Sequence, residues 1–414
     1  MDILKIATAG SVDDGKSTLI GRLLYETNSL KKDQIEHIQS RSKLRGFDHL
    51  DFSLATDGLL TEREQGITID VSNIFFSTPK RRFIIADSPG HIEYTRNMVT
   101  GASTSAATII LIDARKGVIE QTKRHYYITQ LLKIKQVVFA INKMDLVNYD
   151  ESRFNEIQEQ LNSLIKSNEH QTDVTYHFVP ISALLGDFVV ENSKNLEWYK
   201  GKPLLTILEQ LPNNTSSGTE SVFQVQYVIR PKTEAYHDYR GFAGKLKSGT
   251  IKQGDAVKVY PSKRSSYIKR IEKYGSEVNS LNAGENGTLL LTDELDISRG
   301  NSIVGLKSQL NVGKNVEAKI CWMQNEELET GKKYWMQQGV QRVLAKVQKV
   351  HNKIDLDSFI AENTTQLSLN DIGEASIVTA EPLISKSYKT NKELGAFILI
   401  DPLTNNTAGV GFIN

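Results

Sequence analysis

The stretch Gly10-Ser-Val-Asp-Asp-Gly-Lys-Ser-Thr18 decides the fold of this chain. It matches the phosphate-binding loop pattern G-x-x-x-x-G-K-[ST], in which glycines let backbone N–H groups turn towards phosphate oxygens. Lys16 would add positive charge at the β- and γ-phosphates, and the Ser17 hydroxyl would bind Mg²⁺. The apolar run Ile3–Ala7 precedes the loop and a helical pattern follows it, which favours a nucleotide site over a chance glycine turn. The residues predicted to contact the nucleotide here are Gly10, Ser11, Val12, Asp13, Asp14, Gly15, Lys16, Ser17 and Thr18.

Composition excludes several classes of protein. The 414 residues carry 50 Lys+Arg and 49 Asp+Glu, so no global field favours nucleic acid or an anionic membrane. Cys321 is the one cysteine and cannot form an internal disulfide, which indicates a reducing, cytoplasmic setting. Neither a signal-peptide pattern nor a run of 18 apolar residues is present, so we expect no membrane segment.

The pattern of apolar runs divides the chain. Residues 1–212 alternate nearly continuous apolar runs with helical segments, which predicts a mostly parallel sheet covered by helices on both faces. A turn-rich linker follows at 213–219. Short alternating runs separated by glycine and aspartate turns then predict a β-barrel domain at 220–309 and a second at 310–414. The predicted strands of the first domain are Ile3–Ala7, 82–86, 107–112, 136–141 and 177–180. Among those predicted for the second barrel is Leu367–Leu369.

Asp87-Ser-Pro-Gly-His91 directly follows the predicted strand 82–86. In a phosphate-loop protein, an acidic residue at this strand end holds Mg²⁺, usually through water. Gly90 frees a backbone N–H to approach the γ-phosphate, and His91 could position the attacking water. The alternatives are a helix N-cap for Asp87 and a solvated loop position for His91.

Thr68 lies in Glu62-Arg-Glu-Gln-Gly-Ile-Thr-Ile-Asp70, between the phosphate loop and the strand 82–86. A switch segment belongs here, in which a threonine hydroxyl completes the Mg²⁺ shell only when a γ-phosphate is present. Without the other motifs, the same residues read as a turn before a strand. The predicted metal ligands are therefore Ser17, Thr68 and Asp87, and Lys16, Thr68 and His91 are the candidate catalytic residues.

Two further motifs close predicted strands and concern the base. In Asn142-Lys-Met-Asp145, the aspartate can accept hydrogen bonds from guanine N1–H and its exocyclic amine, which adenine lacks on that edge. Ser182-Ala-Leu184 would support guanine O6 through its backbone. The base-reading residues predicted are Asn142, Lys143, Asp145, Ser182, Ala183 and Leu184. Because ligands bind outside the carboxyl ends of strands in α/β sheets, the motifs together predict a domain that hydrolyses GTP.

These motifs resemble those of the translational-factor class of GTPases, at Gly10–Ser17, Arg63–Thr68, Asp87–His91 and Asn142–Asp145. More closely, the chain resembles the GTPase subunits of bacterial sulfate adenylyltransferases. Elongation factors usually have histidine where this loop has Asp14. The stretches that carry the closer resemblance are 10–24, 56–70, 94–98, 101–104, 112–117 and 291–300.

The resemblance implies a P-loop GTPase domain followed by two β-barrels, with GTP or GDP and Mg²⁺ bound. It also implies a separate catalytic ATP-sulfurylase subunit that joins ATP and sulfate into adenosine 5′-phosphosulfate, a reaction driven by GTP hydrolysis on this chain. Two departures matter. The segment 230–241 is a few residues longer than in the family, and no second phosphate loop is present, so a fused adenylylsulfate kinase is not expected.

Two other functions remain open from the sequence. A translation factor delivering tRNA would share the nucleotide site, although the balanced charge gives no sign of an RNA-binding surface. A regulatory module that binds GTP without hydrolysing it would also share these motifs. Copurification with a sulfurylase-like subunit, retention on aminoacyl-tRNA and multiple-turnover phosphate release would distinguish the three.

Overall fold

A computed structural model gives the fold. It describes residues 2–44, 46, 50–55, 72–88, 95–167, 173–213, 219–231, 239–308, 310–355 and 358–414. Chain contacts form two compact units, one spanning Met1–Asn214 with Leu356–Phe359 and one spanning Thr215–Asp355 with Ile360–Asn414. The first unit contains the α/β domain and the second contains both β-barrels. The domain boundaries expected at 212, 219 and 309 remain predictions.

A six-stranded sheet organises the first unit, in the order β2-β3-β1-β4-β5-β6. Every neighbouring pair is parallel except β2 with β3. The central strands β4 and β5 are buried at all seven positions, as expected for a parallel sheet covered on both faces. The strands are β1 (Ile3–Ala9), β2 (Ser72–Ser77), β3 (Arg82–Asp87), β4 (Ala107–Asp113), β5 (Gln136–Asn142) and β6 (Thr175–Pro180).

Helices connect and cover these strands. Those in the described part of this unit are α1 (Lys16–Glu26), α2 (Lys32–Leu44), α3 (Thr95–Ala102), α4 (Glu120–Leu131), α5 (Glu151–Ser167) and α6 (Leu204–Gln210). A short 3₁₀ turn at Phe52–Ala55 lies against α1. The five predicted strands are present, whereas β2 was not predicted. Its apolar run is short, residues 74–76, and Phe75 within it is 67 % exposed, as expected for a strand at the edge of the sheet.

The first barrel is a ring of six strands, β10-β15-β7-β8-β14-β11, closed by pairing of β10 with β11. Its interior is largely aliphatic, and Phe223 and Phe242 are its largest buried side chains. Strand β12 pairs outside the ring, and β9 pairs with β13. The strands are β7 (Val222–Ile229), β8 (Gly241–Ser248), β9 (Thr250–Lys252), β10 (Ala256–Tyr260), β11 (Ser265–Lys273), β12 (Ser276–Val278), β13 (Ser280–Asn282), β14 (Asn286–Leu291) and β15 (Ser302–Gly305).

The second barrel repeats this closure as β17-β21-β22-β16-β20-β18, with β17 pairing β18. A short helix, α7 (Lys392–Gly395), precedes β21. The strand predicted at Leu367–Leu369 is wrong: that segment is irregular, and Leu367 is fully buried in the barrel core instead. The strands are β16 (Asn311–Trp322), β17 (Lys333–Gln338), β18 (Gln341–Ile354), β19 (Ala361–Asn363), β20 (Ile372–Ser385), β21 (Ala396–Ile400) and β22 (Thr407–Ile413).

The predicted fold class, an α/β domain of the phosphate-loop type followed by two β-barrels, is confirmed by this architecture. None of the helices in the described ranges is long and apolar enough to cross a membrane.

Candidate nucleotide-binding site

The side chain of Asn142 joins three of the predicted motifs. It lies at the carboxyl end of β5, where its Nδ2 donates to the carbonyl of Asp14 at 2.8 Å. Its Oδ1 accepts from the N–H of Ala183 at 2.9 Å. The amide is buried, so both bonds are shielded from water. The phosphate loop, the Asn142–Asp145 motif and the Ser182–Leu184 loop therefore meet at one edge of the sheet, as the strand-end argument predicted.

The phosphate loop requires glycine at position 15. Gly15 has φ +94°, in the left-handed region, and it is the N-cap residue that directly precedes α1. A Cβ atom there would overlap Asn142 Nδ2. Glycine thus serves both the turn and the close approach of the Asn142 side chain.

Lys16 is buried at the first position of α1. Its Nζ donates to the carbonyls of Gly10 at 2.8 Å and Ser11 at 3.2 Å, which folds the side chain back over the loop. Burial lowers the pKa of Lys16, an effect opposed by the charges of Asp87, Asp14 and Asp13. The carbonyl dipoles stabilise the buried ammonium of Lys16 only in part. A bound anion would compensate its positive charge more fully, so the position suits a polyphosphate.

The buried carboxylate of Asp14 stabilises the phosphate loop through a hydrogen bond within it. Its Oδ2 accepts from the N–H of Ser11 at 2.6 Å, and its Oδ1 is buried with no hydrogen-bond partner. Burial raises the pKa of Asp14, although the Ser11 N–H and the charge of Lys16 oppose the rise. Val12 and Thr18 are half-buried, and Asp13 is exposed at φ +68°.

The donor set for Mg²⁺ is partly visible. Asp87 ends β3 and is 1 % exposed, and the Thr8 hydroxyl donates to its Oδ1 at 2.9 Å. Ser17 lies in the first turn of α1, half-buried. Carboxylate and hydroxyl oxygens are the hard ligands that Mg²⁺ prefers, and few protein ligands suffice because water and phosphate supply the rest. The two residues fit the ion.

Lys143 bridges the two ends of the site. It has φ +63°, and its Nζ donates to the carbonyl of Asp13 and lies 3.0 Å from the carboxylate of Asp113. Arg115 binds the same carboxylate at 2.6 Å. Burial alone would raise the pKa of Asp113, but the hydrogen bonds from Arg115 and Lys143 outweigh it and hold that pKa below its usual range. Asp113 was not predicted as a site residue, although it ends β4 as Asp87 and Asn142 end their strands.

Among the residues predicted to read the base, one has a buried acceptor without a hydrogen-bond partner. Asp145 Oδ1 is buried and has no hydrogen-bond partner. A donor pair such as guanine N1–H and its amine would satisfy it. Because the N–H of Ala183 already donates to Asn142, the contact expected with guanine O6 would share that hydrogen or use the N–H of Leu184. Ser182 is fully buried, its Oγ accepting from the N–H of Leu185 at 3.2 Å.

Three predicted site residues, Thr68, Gly90 and His91, lie outside the residues that the structure describes. Within the described ranges, no cluster of three or more histidine, cysteine, aspartate or glutamate side chains could hold a metal ion. The described site therefore consists of the phosphate loop, Asp87 and the two base motifs.

The sequence matches two family models and is similar to several known proteins. The family model of the elongation factor Tu GTP binding domain matches residues 1–216, and that of the GTP-eEF1A C-terminal domain-like family matches 315–414. Sulfate adenylyltransferase subunit 1 of Bacteroides fragilis is 44 % identical over 100 % of this chain and 86 % of its own length. That of Colwellia psychrerythraea is 45 % identical over 100 % and 88 %. The bifunctional enzyme CysN/CysC of Mycobacterium tuberculosis is 44 % identical over 99 % of this chain and 67 % of its own length.

Among solved structures, the Ski7 GTPase-like domain of S. cerevisiae, bound to GDP and inorganic phosphate, aligns with a TM-score of 0.53. The alignment covers 100 % of this chain and 97 % of that one at 20 % identity. At that identity the likeness shows a shared fold.

Proposed function

The chain belongs to the sulfate adenylyltransferase subunit 1 family, and on that premise we propose that it hydrolyses GTP as the GTPase subunit of a sulfate adenylyltransferase. The observation that carries the proposal is the bridge through Asn142. One buried amide links the phosphate loop to the base loop, and Asp145 offers an unsatisfied carboxylate oxygen nearby in the chain. An arrangement with a phosphate loop at one end and an acceptor-only carboxylate at the other suits a guanine nucleotide.

We propose these roles at the phosphate end. Lys16 stabilises charge that develops on the β- and γ-phosphates, and Gly90 donates its N–H to the γ-phosphate. Ser17 and Thr68 bind Mg²⁺ directly, and Asp87 binds it through water. When bound, Mg²⁺ would supply positive charge that offsets the charge of the phosphates. His91 orients the attacking water. Because phosphoryl transfer depends mainly on positioning and electrostatics, these residues need only hold fixed charges and dipoles in place.

The hydrolysis is proposed to drive formation of adenosine 5′-phosphosulfate from ATP and sulfate on a separate ATP-sulfurylase subunit. Such coupling requires the partner to bind the GTP and GDP states with different affinity, since a ligand shifts an equilibrium only by its differential affinity. The proposal places this assembly in the cytoplasm, where an unpaired thiol such as the buried Cys321 stays reduced. Nucleic acid is not among the proposed partners.

A nucleotide swap tests the proposal. The chain is mixed with a bacterial ATP-sulfurylase subunit, and adenosine 5′-phosphosulfate is measured with ATP, sulfate and either GTP or xanthosine triphosphate. We expect the native chain to respond to GTP and the Asp145→Asn variant to respond to xanthosine triphosphate, whose base offers the complementary pattern at that edge. Product formed equally without either nucleotide would contradict coupling, and retention of the native chain on aminoacyl-tRNA would favour a translation factor.

His91→Ala provides a second test at the other end of the site. We expect this variant to keep its affinity for GTP and to release phosphate at least about 100-fold more slowly, since a positioned acid–base group contributes 10²–10⁴-fold. Phosphate release is measured over multiple turnovers with the partner present. Unchanged turnover would remove His91 from the mechanism.

A further inference from the structure

Arg22 connects the helix of the phosphate loop to the base loop. It lies on α1, which begins at Lys16. Its Nε donates to the carbonyl of Ala183 at 3.2 Å, and its Nη2 donates to the carbonyl of Leu184. A guanidinium presents several N–H groups in a fixed planar fork, so two consecutive carbonyls can be held at once. The guanidinium of Arg22 therefore binds the backbone of the loop that is expected to contact guanine O6.

Neighbouring side chains fix the plane of that fork. The Cζ of Arg22 lies 4.3 Å from the centre of the Phe52 ring, and Phe52 is 2 % exposed. In addition, Nη1 lies 3.3 Å from Oε1 of Glu26, and the Arg22 side chain is 14 % exposed. Stacking on an aromatic face and an ion pair shielded from water leave the guanidinium little freedom.

Two glycines make room for this arrangement. A Cβ on Gly21 would overlap the backbone carbonyl of Phe52, so the helix accepts the ring only because position 21 is glycine. Gly186, just after the base loop, has φ +92°, and a Cβ there would lie 2.8 Å from Glu26 Oε1. Glycine at these two positions therefore allows Phe52 to pack closely on α1 and the turn at Gly186 to pack closely on Glu26.

We propose that Arg22 is a positioning residue for guanine recognition. A trans peptide is planar, so its C=O and N–H point in opposite directions. By holding the carbonyl of Ala183, Arg22 fixes the plane of the peptide that carries the N–H of Leu184 and turns that N–H away from α1. The loop then presents its N–H groups to O6 before nucleotide arrives. This inference rests on the proposed binding of GTP.

The test compares Arg22→Lys with Arg41→Lys, a matched change at an exposed position on α2. Lysine keeps the charge and loses the fork. We expect GDP to dissociate roughly tenfold faster from Arg22→Lys, since the ammonium retains only part of the paired hydrogen bonds that the planar guanidinium makes. Stopped-flow release of a fluorescent GDP measures the rate. Arg41→Lys should release GDP at the native rate.

Two probes separate positioning from a general loss of structure. Inorganic tripolyphosphate occupies only the phosphate loop, so its competition against GDP binding should give the same inhibition constant in Arg22→Lys and the native chain. 6-Thio-GDP replaces O6 with a weak acceptor, so its release should accelerate less than that of GDP. Equal weakening of all three ligands, or GDP release at the native rate, would overturn the inference.

Phe52→Leu keeps the inference testable if Arg22→Lys fails to fold. It removes the stacking surface and leaves the carbonyl bonds, so we expect a smaller acceleration of GDP release, about threefold, with tripolyphosphate again unaffected. Native GDP release from Phe52→Leu would contradict the positioning role. Failure of the native chain to bind GDP at all would instead contradict the proposed function.

Discussion

The two ends of the nucleotide site are built in different ways. At the phosphate end, apart from the bond from Thr8 to Asp87, the side-chain contacts described are local: Lys16 bonds carbonyls at positions 10 and 11, and Asp14 bonds the N–H of Ser11. At the base end they join distant parts of the chain, as when Asn142 reaches Asp14 and Arg22 reaches Ala183. A local loop can be recognised as a motif, whereas the position of an assembled loop also depends on residues outside the site motifs, such as Arg22. Substitutions should affect the two ends differently.

Asp145→Asn should have the largest effect and confine it to the base end. The substitution replaces a carboxylate oxygen, which accepts hydrogen bonds, with an amide group that donates them. Facing the N–H donors of guanine, this buried amide would have neither a protein partner nor water, so the ratio of affinities for GTP and xanthosine triphosphate should change about 10⁴-fold. Isothermal calorimetry with both nucleotides measures the ratio. Inorganic tripolyphosphate serves as the control and should bind as before. Unchanged preference for guanine would contradict the assignment.

Lys16→Met should act on the phosphate end. It removes the buried charge that we propose binds two phosphates, and we expect roughly 100- to 1000-fold weaker binding of GTP and tripolyphosphate alike. Lys43→Met, at an exposed position on α2, is the matched control. If GTP binding weakens while tripolyphosphate binding does not, the assignment of Lys16 to the phosphates is wrong.

Gly15→Ala should affect both ends, because Gly15 is where they touch. The new Cβ would overlap Asn142 Nδ2 and would sit at φ +94°, so we expect about 10- to 100-fold weaker GTP binding. Gly254→Ala isolates the backbone cost, since Gly254 has φ +85° and a Cβ added there would meet no atom within 4 Å. That control should lose some stability and no affinity. Equal behaviour of the two variants would show that the overlap with Asn142 does not matter.

His125→Gln should have the smallest effect and show itself in acid. His125 is buried on α4, and burial, with the charges of Lys16 and Arg124, lowers its pKa to about 3. Below about pH 6.5, His125 is therefore protonated in the unfolded chain but stays neutral in the folded chain. The free energy of unfolding consequently falls as the pH drops from about 6.5 towards 3.

At pH 5.5 this loss is on the order of 1 kcal/mol, and His125→Gln should abolish it. Urea unfolding at pH 7.5 and 5.5 measures the difference. His37→Gln, at an exposed position on α2, is the control. An unchanged acid slope in His125→Gln would show that another group is responsible.

The sequence predicted most of what apolar runs and contiguous motifs determine. Strands β1, β3, β4, β5 and β6 carry apolar runs with buried positions, so they could be located directly. The edge strand β2 was missed because its apolar run, residues 74–76, is only three residues long and lies between polar residues, and the exposure of Phe75 becomes visible only in the fold. At Leu367 the error was the opposite one: a strand was predicted, but Leu367 lies in an irregular segment and its side chain packs in the barrel core.

At the site, the phosphate loop and Asn142 were predicted as members of one edge. What could not be predicted was how they are held. Arg22 lies within a stretch that carries the family resemblance, yet nothing in its spacing reveals that it reaches position 183. Asp113 likewise ends a strand, and only the fold shows that Lys143 and Arg115 converge on it. Long-range positioning depends on topology, which local patterns do not encode.

The strand order of the second barrel also bears on how the chain matures. Strand β22 lies between β21 and β16, so the ring stays open there until β22 has been synthesised and has left the ribosome. Phe412 and Ile413 on that strand are buried. Closure of this barrel therefore has to wait for β22, and until it pairs, the facing edges of β21 and β16 expose backbone N–H and C=O groups without strand partners.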